Sequence, residues 1–235
     1  MHRFRVDGVE NDQCTLSREE AAHALKVLRM RPGDICEVSD GERLFSGVLE
    51  ENARVKITGE LSNRESPARV TLYQGYPKAD KLEMILQKFT ELGGYRLVPV
   101  LSSRSVARPD EFEKKRERFE RIAQEAAKQS GRARTPEISP MMTFEEAARD
   151  FEKRDLAILF WEDERNTRLK DARAERPDAK DIGYFIGPEG GLSAQEADRL
   201  RQAGGMVLTL GERILRAETA AVAGCALIQA MWGDI

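Results

Sequence analysis

The chain has 235 residues, 40% of them apolar and 34% charged, which is enough apolar material for a packed core and excludes wholesale disorder. Mean hydropathy is −0.54; the longest apolar stretches fall short of the ~20 residues that cross a bilayer, and the opening Met1-His2-Arg3-Phe4-Arg5-Val6-Asp7 lacks the apolar run of a secretory signal, so a soluble, cytoplasmic protein is expected. Net charge is −3, with 10 basic and 13 acidic residues up to residue 66 and 28 of each beyond it; bulk charge therefore gives no support for nucleic-acid binding, which would need a local patch.

In chain order, Arg3-Phe4-Arg5-Val6 alternates as a half-buried strand does. Ser17-Arg18-Glu19-Glu20 matches a capping box and predicts a helix to about Val27 or Leu28, with Ala21, Leu25 and Leu28 on its buried side. Pro32-Gly33-Asp34 predicts a turn, Ile35 to Val38 a strand, and Asp40-Gly41 a hairpin; Leu44 to Leu49 and Val55 to Thr58 read as further strands. Short strands with tight turns predict a small barrel. The polar, proline-bearing stretch Leu61 to Ala68 marks a domain boundary, placed at 66/67.

Beyond it strands alternate with helices. Strands are expected at Val70 to Tyr73, Leu97 to Leu101, Leu156 to Phe160, Ile182 to Ile186 and Val207 to Leu210. An amphipathic helix over Asp80 to Leu92 carries Leu82, Ile85, Leu86, Phe89 and Leu92 on one face and ends at Gly93-Gly94. A second runs from Phe112 to Gln129, with Phe112, Phe119, Ile122 and Ala126 as its apolar stripe. A third opens at the capping box Ser193 to Glu196, and an alanine-rich fourth spans Ala217 to Trp232. This alternation implies an α/β domain with a mostly parallel sheet, whose ligands sit beyond the carboxyl ends of the strands.

Three widely spaced cysteines, Cys14, Cys36 and Cys225, argue against a disulfide framework and a structural zinc site, and two histidines leave few metal ligands. His23 and Cys225 read as packed residues. Two loops following strands carry the chemistry. Gly187-Pro188-Glu189-Gly190-Gly191 matches neither the P-loop nor the dinucleotide pattern; it reads as a close backbone approach to a ligand or as a tight strand-to-helix turn. Leu210 to Ala220 sets Leu210, Ile214 and Leu215 among Glu212, Arg213, Arg216 and Glu218. That mixture suits a planar heterocycle, and it equally suits an ordinary helix start with a solvated charged face. Ser103-Arg104-Ser105 and Arg108 begin a basic region diluted by acids until Lys128 to Arg134, where Arg132 and Arg134 stand in a locally positive run. Lys81, Lys88 and Glu91 share the polar side of their helix and read as solvated.

Taken in order, these segments resemble one family. They are His23 to Arg29 with Pro32-Gly33-Asp34, Lys81 to Gly93 with Gln87-Lys88-Phe89-Thr90-Glu91-Leu92-Gly93, Pro99 with Ser103-Arg104-Ser105, Glu125 to Arg132, Ile186 to Gly191, and Leu210 to Ala220. The order is similar to that of the RsmE family of ribosomal RNA methyltransferases, within the SPOUT superfamily; Phe89 and Gly94 depart from the family's usual residues. The resemblance implies an N-terminal PUA-like β-barrel over 1–66 and a SPOUT-type α/β domain over 67–235 with a C-terminal trefoil knot. It also implies homodimers, S-adenosylmethionine as cofactor, no metal, and methylation of N3 of a uridine in 16S ribosomal RNA, within the small subunit. On that basis Ile186, Gly187, Gly191, Leu210, Gly211, Ile214, Leu215 and Ala217 are expected to bind the cofactor. Glu189 and Glu218 are candidate bases for the N3 proton, and Arg104 and Arg216 candidate stabilisers of the uracil anion. RNA contacts are expected from Arg3, Arg5, Lys26, Arg29, Arg31, Arg132 and Arg134. The last helix, with small Ala217, Ala220, Ala221, Ala223, Gly224 and Ala226 beside Val222, Leu227, Ile228 and Met231, is the expected dimer element. The alternatives are a non-catalytic RNA-binding or assembly protein of the same fold, and a methyltransferase for another RNA position.

Overall fold

The computed structural model describes residues 2–62, 65–78, 81–105 and 109–235, with only the backbone of 109 and 110. Asn63 and Arg64 of the expected linker, Asp80 at the expected helix start and Arg108 of the basic region lie outside the described residues. The chain divides into two units, Met1–Glu65 with Ala127–Thr135, and Ser66–Ala126 with Pro136–Ile235. Residues 127–135, expected in the second domain, thus pack with the first.

In the first unit, β1 (His2–Arg5), β2 (Gln13–Thr15), β3 (Ile35–Ser39), β4 (Leu44–Leu49) and β5 (Arg54–Leu61) form a sheet of order β1-β3-β4-β5-β2. Strand alternation sends Phe4, Cys14, Cys36, Val38, Phe45, Leu49 and Val55 into one core. Burial pushes the Cys14 and Cys36 thiols up to about 11. The helix α1 (Arg18–Ala22) starts as expected, with Ser17 Oγ accepting the Glu20 N–H at 3.2 Å. Only half of the capping box forms, because the Glu20 carboxylate accepts instead from Arg5 N–H and from the Lys128 ammonium. The helix then widens into a π turn over His23–Val27, with Leu28 N–H donating to His23 O. The wider turn shifts the buried face: Ala24 is fully buried, while Leu25 is 45% and Val27 68% exposed; Ala21 and Leu28 pack against the core as expected, and Leu25 is corrected. The returning segment 127–135 closes this unit through polar contacts. Ser39 Oγ donates to Ala133 O at 2.6 Å, and Arg132, 4% exposed, pairs with Glu65 at 2.6 Å.

The second unit holds β6 (Arg69–Gly75), α2 (Lys81–Glu91), β7 (Arg96–Leu101), α3 (Pro109–Ser130, up to Ala126), β8 (Glu137–Ile138), β9 (Met142–Thr143), α4 (Phe144–Phe151), β10 (Leu156–Phe160), α5 (Leu169–Glu175), β11 (Asp181–Ile186), α6 (Ala194–Gln202), β12 (Met206–Leu208) and α7 (Ala217–Trp232). The sheet runs β12-β10-β11-β6-β7-β8, with β9 also on β7, and every pair is parallel. Its strands are apolar on both sides because both faces are covered. Leu156, Ile158, Ile182 and Tyr184 face a core that includes residues of α2 and α7. Ala157, Leu159, Phe185 and Val98 face one that includes residues of α4 and α6. Phe89 and Gly94, the two departures from the family pattern, are one packing solution: a Cβ at 94 would lie 2.3 Å from the Phe89 ring.

Candidate active site

Parallel strands send their carboxyl ends to one edge of the sheet, and there the loops after β10, β11 and β12 meet. They enclose a cleft of about 480 Å³. All eight residues expected to hold a cofactor line it: Ile186, Gly187 and Gly191 from the loop after β11, and Leu210, Gly211, Ile214, Leu215 and Ala217 from the loop after β12. The loop after β11 is set by close backbone packing. A Cβ on Gly75 at the end of β6 would lie 2.5 Å from Pro188 N and Cδ, so only glycine lets the strand approach. Gln74 Nε2, fully buried, reaches the Gly187 carbonyl at 3.4 Å. The helix that follows is locked by the predicted capping box, Ser193 and Glu196 exchanging both bonds.

The charged candidates separate by position. Glu189 and Arg216 line the cleft. Glu218, in the first turn of α7, does not line it; its carboxylate lies 3.3 Å from the Lys81 ammonium, which also meets Glu189 at 3.1 Å. Burial works against the Glu189 carboxylate, yet its own backbone N–H, the Lys78 N–H and the Lys81 ammonium outweigh that and hold its pKa below the usual value. Lys81 is raised in turn, first by its bond to Glu189. Arg104 braces the loop from outside, donating to Gly190 O at 2.9 Å, and is not among the lining residues.

A family model for an RNA methyltransferase domain matches residues 64–229, and one for an RNA methyltransferase PUA domain matches residues 16–57. Ribosomal RNA small subunit methyltransferase E of Bacillus subtilis is 35% identical, over 88% of this chain and 85% of its own. The chain belongs to the ribosomal RNA small subunit methyltransferase E family. The Aquifex aeolicus member is 30% identical over 94% of this chain and 96% of its own. The crystal structure of the Neisseria gonorrhoeae member bound to S-adenosylmethionine matches with a TM-score of 0.87 at 32% identity, covering 100% of this chain and 99% of that one.

Two parts of this family member's site carried no sequence signal. Lys81 stood on a helix face that read as solvated. Phe160, Trp161, Glu162 and Arg165 supply a wall from the loop after β10, a polar stretch without a motif. That wall is tied to the others by Trp161 N–H to Leu208 O and Thr209 N–H to Thr167 O. The expected RNA set divides as well. Arg3 is spent on Glu37, with Nε and one terminal nitrogen at 2.9 and 2.5 Å, and on the Arg132 carbonyl. Arg132 is spent on Glu65. Both side chains are therefore engaged in internal ion pairs. Arg5, Lys26, Arg29 and Arg31 are exposed, and Arg134 is half-buried. Among the described residues no group of three or more His, Cys, Asp or Glu side chains gathers as a metal site, and no helix is long and apolar enough to cross a membrane.

Proposed function

We propose that the protein methylates N3 of a specific uridine in 16S ribosomal RNA, with S-adenosylmethionine bound in the cleft. The observation that carries this reading is the convergence of all eight expected residues on one cleft at the carboxyl edge of the sheet. The residues fit the group. Ile186, Leu210, Ile214 and Leu215 offer apolar walls for an adenine, and the backbone of Gly187, Gly191 and Gly211 offers polar edges at close approach. The cofactor supplies an activated methyl group, so the protein's task is to bind, orient and tune charge.

Uracil N3 carries a proton at neutral pH, and its removal needs an acceptor and a cation for the resulting anion. Glu189 is a weak acceptor, since its backbone donors and Lys81 hold it ionised. The base role is assigned to Glu218, which shares the Lys81 ammonium but lacks the backbone donors of Glu189, and Arg216, exposed at the N-cap of α7 and lining the cleft, stabilises the anion. The target base leaves its stack to present the N3 edge. RNA binds through Arg5, Lys26, Arg29, Arg31 and Arg134, within the assembled small subunit and in the cytoplasm. The active form is a homodimer built on α7, whose Leu227 and Met231, with Met84 of α2, are 36–43% exposed; a monomer mass in light scattering would remove that part.

The test is methyl transfer from labelled S-adenosylmethionine to small subunits lacking the native modification, followed by primer extension. A methyl on N3 blocks pairing, so incorporation with one new stop is expected, and Glu218→Gln should abolish it with cofactor affinity kept. Incorporation without a stop would move the methyl to another position. Absence of both cofactor binding and transfer would sink the assignment.

A further inference from the structure

The ionic groups of the cleft do not balance one another. Its lining carries two carboxylates, Glu162 and Glu189, and four cations, Lys81, Arg165, Arg213 and Arg216. Glu189 is matched by Lys81 at 3.1 Å. The Glu162 side chain has no hydrogen bond or ion pair among the described residues, and neither does the Arg165 guanidinium, three positions further on. Glu162 is nonetheless placed: its Oε1 lies 2.3 Å from where a Cβ of Gly191 would stand, so the carboxylate rests on the bare Cα of the glycine loop. Gly191 has φ +67°, a conformation that leaves this surface open. The loop carrying Glu162 and Arg165 is held by Glu164, whose Oε1 accepts the N–H groups of Arg165, Asn166 and Thr167 at 3.0, 2.8 and 3.1 Å. Glu164 is thereby consumed in the loop, and Glu162 is left as the one unpaired carboxylate in the lining.

We infer that the loop after β10 grips the amino-acid end of the cofactor, Glu162 taking the α-ammonium and Arg165 the α-carboxylate. The inference rests on the reading of the cleft as an S-adenosylmethionine site. The chemistry is a match of charge and hydrogen-bond type. An ammonium has three N–H donors for an acceptor-only carboxylate, a carboxylate matches the guanidinium fork, and a sulfonium has no N–H to offer. A cofactor with a net positive charge also needs an anion in a cleft otherwise rich in arginine, and Glu162 is the carboxylate not already neutralised.

The test is calorimetric titration of the full-length protein and of Glu162→Gln with three probes: S-adenosylmethionine, S-adenosylhomocysteine and 5′-methylthioadenosine, which lacks the amino-acid end. Glu162 is exposed and makes no internal bond, so the variant should keep the parent's melting temperature. The expected result is about tenfold or greater weakening of the first two probes alike, with 5′-methylthioadenosine unchanged. Arg165→Gln should give the same pattern. Weakening of S-adenosylmethionine alone would assign Glu162 to the sulfonium and overturn the inference. Equal weakening of all three would make Glu162 a support of the glycine loop and overturn it too, as would no change. If the parent protein binds none of the three, the reading of the cleft itself fails; parent binding with an unaffected variant refutes only the amino-acid clamp.

Discussion

The two glycine-bearing loops of the cleft are built in opposite ways. The 187–191 loop is fixed by backbone contact, with Gly75 against Pro188, Gln74 on the Gly187 carbonyl and Arg104 on the Gly190 carbonyl. The 209–217 loop is pinned near its start, where Thr209 N–H meets Thr167 O and Thr209 Oγ bonds both the N–H and the carbonyl of Gly211; at its far end α7 begins. Between these points Ile214 is 80% exposed. One loop works because side chains are missing, the other because apolar ones are held out uncovered. A pocket for a molecule that is part heterocycle and part charged chain needs both kinds of wall.

Adding a side chain where the first loop tolerates none should have the largest effect. Gly75→Ala sets a Cβ against Pro188 N with no flexible atom to yield; a loss of about 3 kcal/mol in urea unfolding, with cofactor binding undetectable by calorimetry, is expected. An alanine variant as stable as the parent would break the account of that loop. Lys81→Met sharpens the comparison, because Lys81 touches Glu189 of the first loop and Glu218 beside the second. Methyl transfer should fall by about tenfold or more. The pH at which acid begins to weaken cofactor binding should also move up, since Glu189, which lines the cleft, takes up a proton more readily without its ammonium partner.

Acid should act on the first loop. Glu189 and Glu196, the latter bonded to Ser103 N–H and capping the helix after the loop, both have pKa values below the ordinary 4.5 despite burial. The unfolded chain therefore gains protons on these groups before the folded one does. Their contribution to stability is present above about pH 4.5 and is lost as the pH falls through the lower folded values. Urea midpoints should drop as the pH falls from about 4.5 towards 3, and less steeply in Glu196→Gln; an equal slope in the two would contradict this. The smallest effect belongs to the second loop. Ile214→Ala should leave the melting temperature unchanged and weaken cofactor binding by a few-fold.

These expectations rest on parts of the molecule that differ in how openly the chain declares them. The longer strands of the second unit are continuous apolar runs and were legible for that reason, whereas the two-residue β8 and β9 had no expectation. β2 is three residues with one buried side chain, Cys14, too short for any period to show, and the short α4 and α5 had no expectation. The π turn defeats a 3.6-residue reading outright, since it buries Ala24 where that period buries Leu25. Arg132 looked like a phosphate ligand because residue type is visible in a chain and burial is not; its partner, Glu65, stands far off in sequence. The glycine loops announced the cleft, while its third wall, at Trp161 to Arg165, arises only when parallel strands bring their ends together. The trefoil knot that the family resemblance implies concerns how the chain threads, which strand order and register leave unspecified.

The return of residues 127–135 to the first unit has a consequence for biosynthesis. That unit is written in two instalments, with residues 66–126 between them. A ribosome adding roughly 5–20 residues per second needs about 3–14 seconds from Glu65 to Thr135. Throughout that interval the N-terminal sheet waits on the nascent chain without the carbonyls that Arg3 and Ser39 will bind. The first unit to begin emerging is therefore completed only after residues 66–126 have been made, and its folding is timed by translation of the other unit's opening strands.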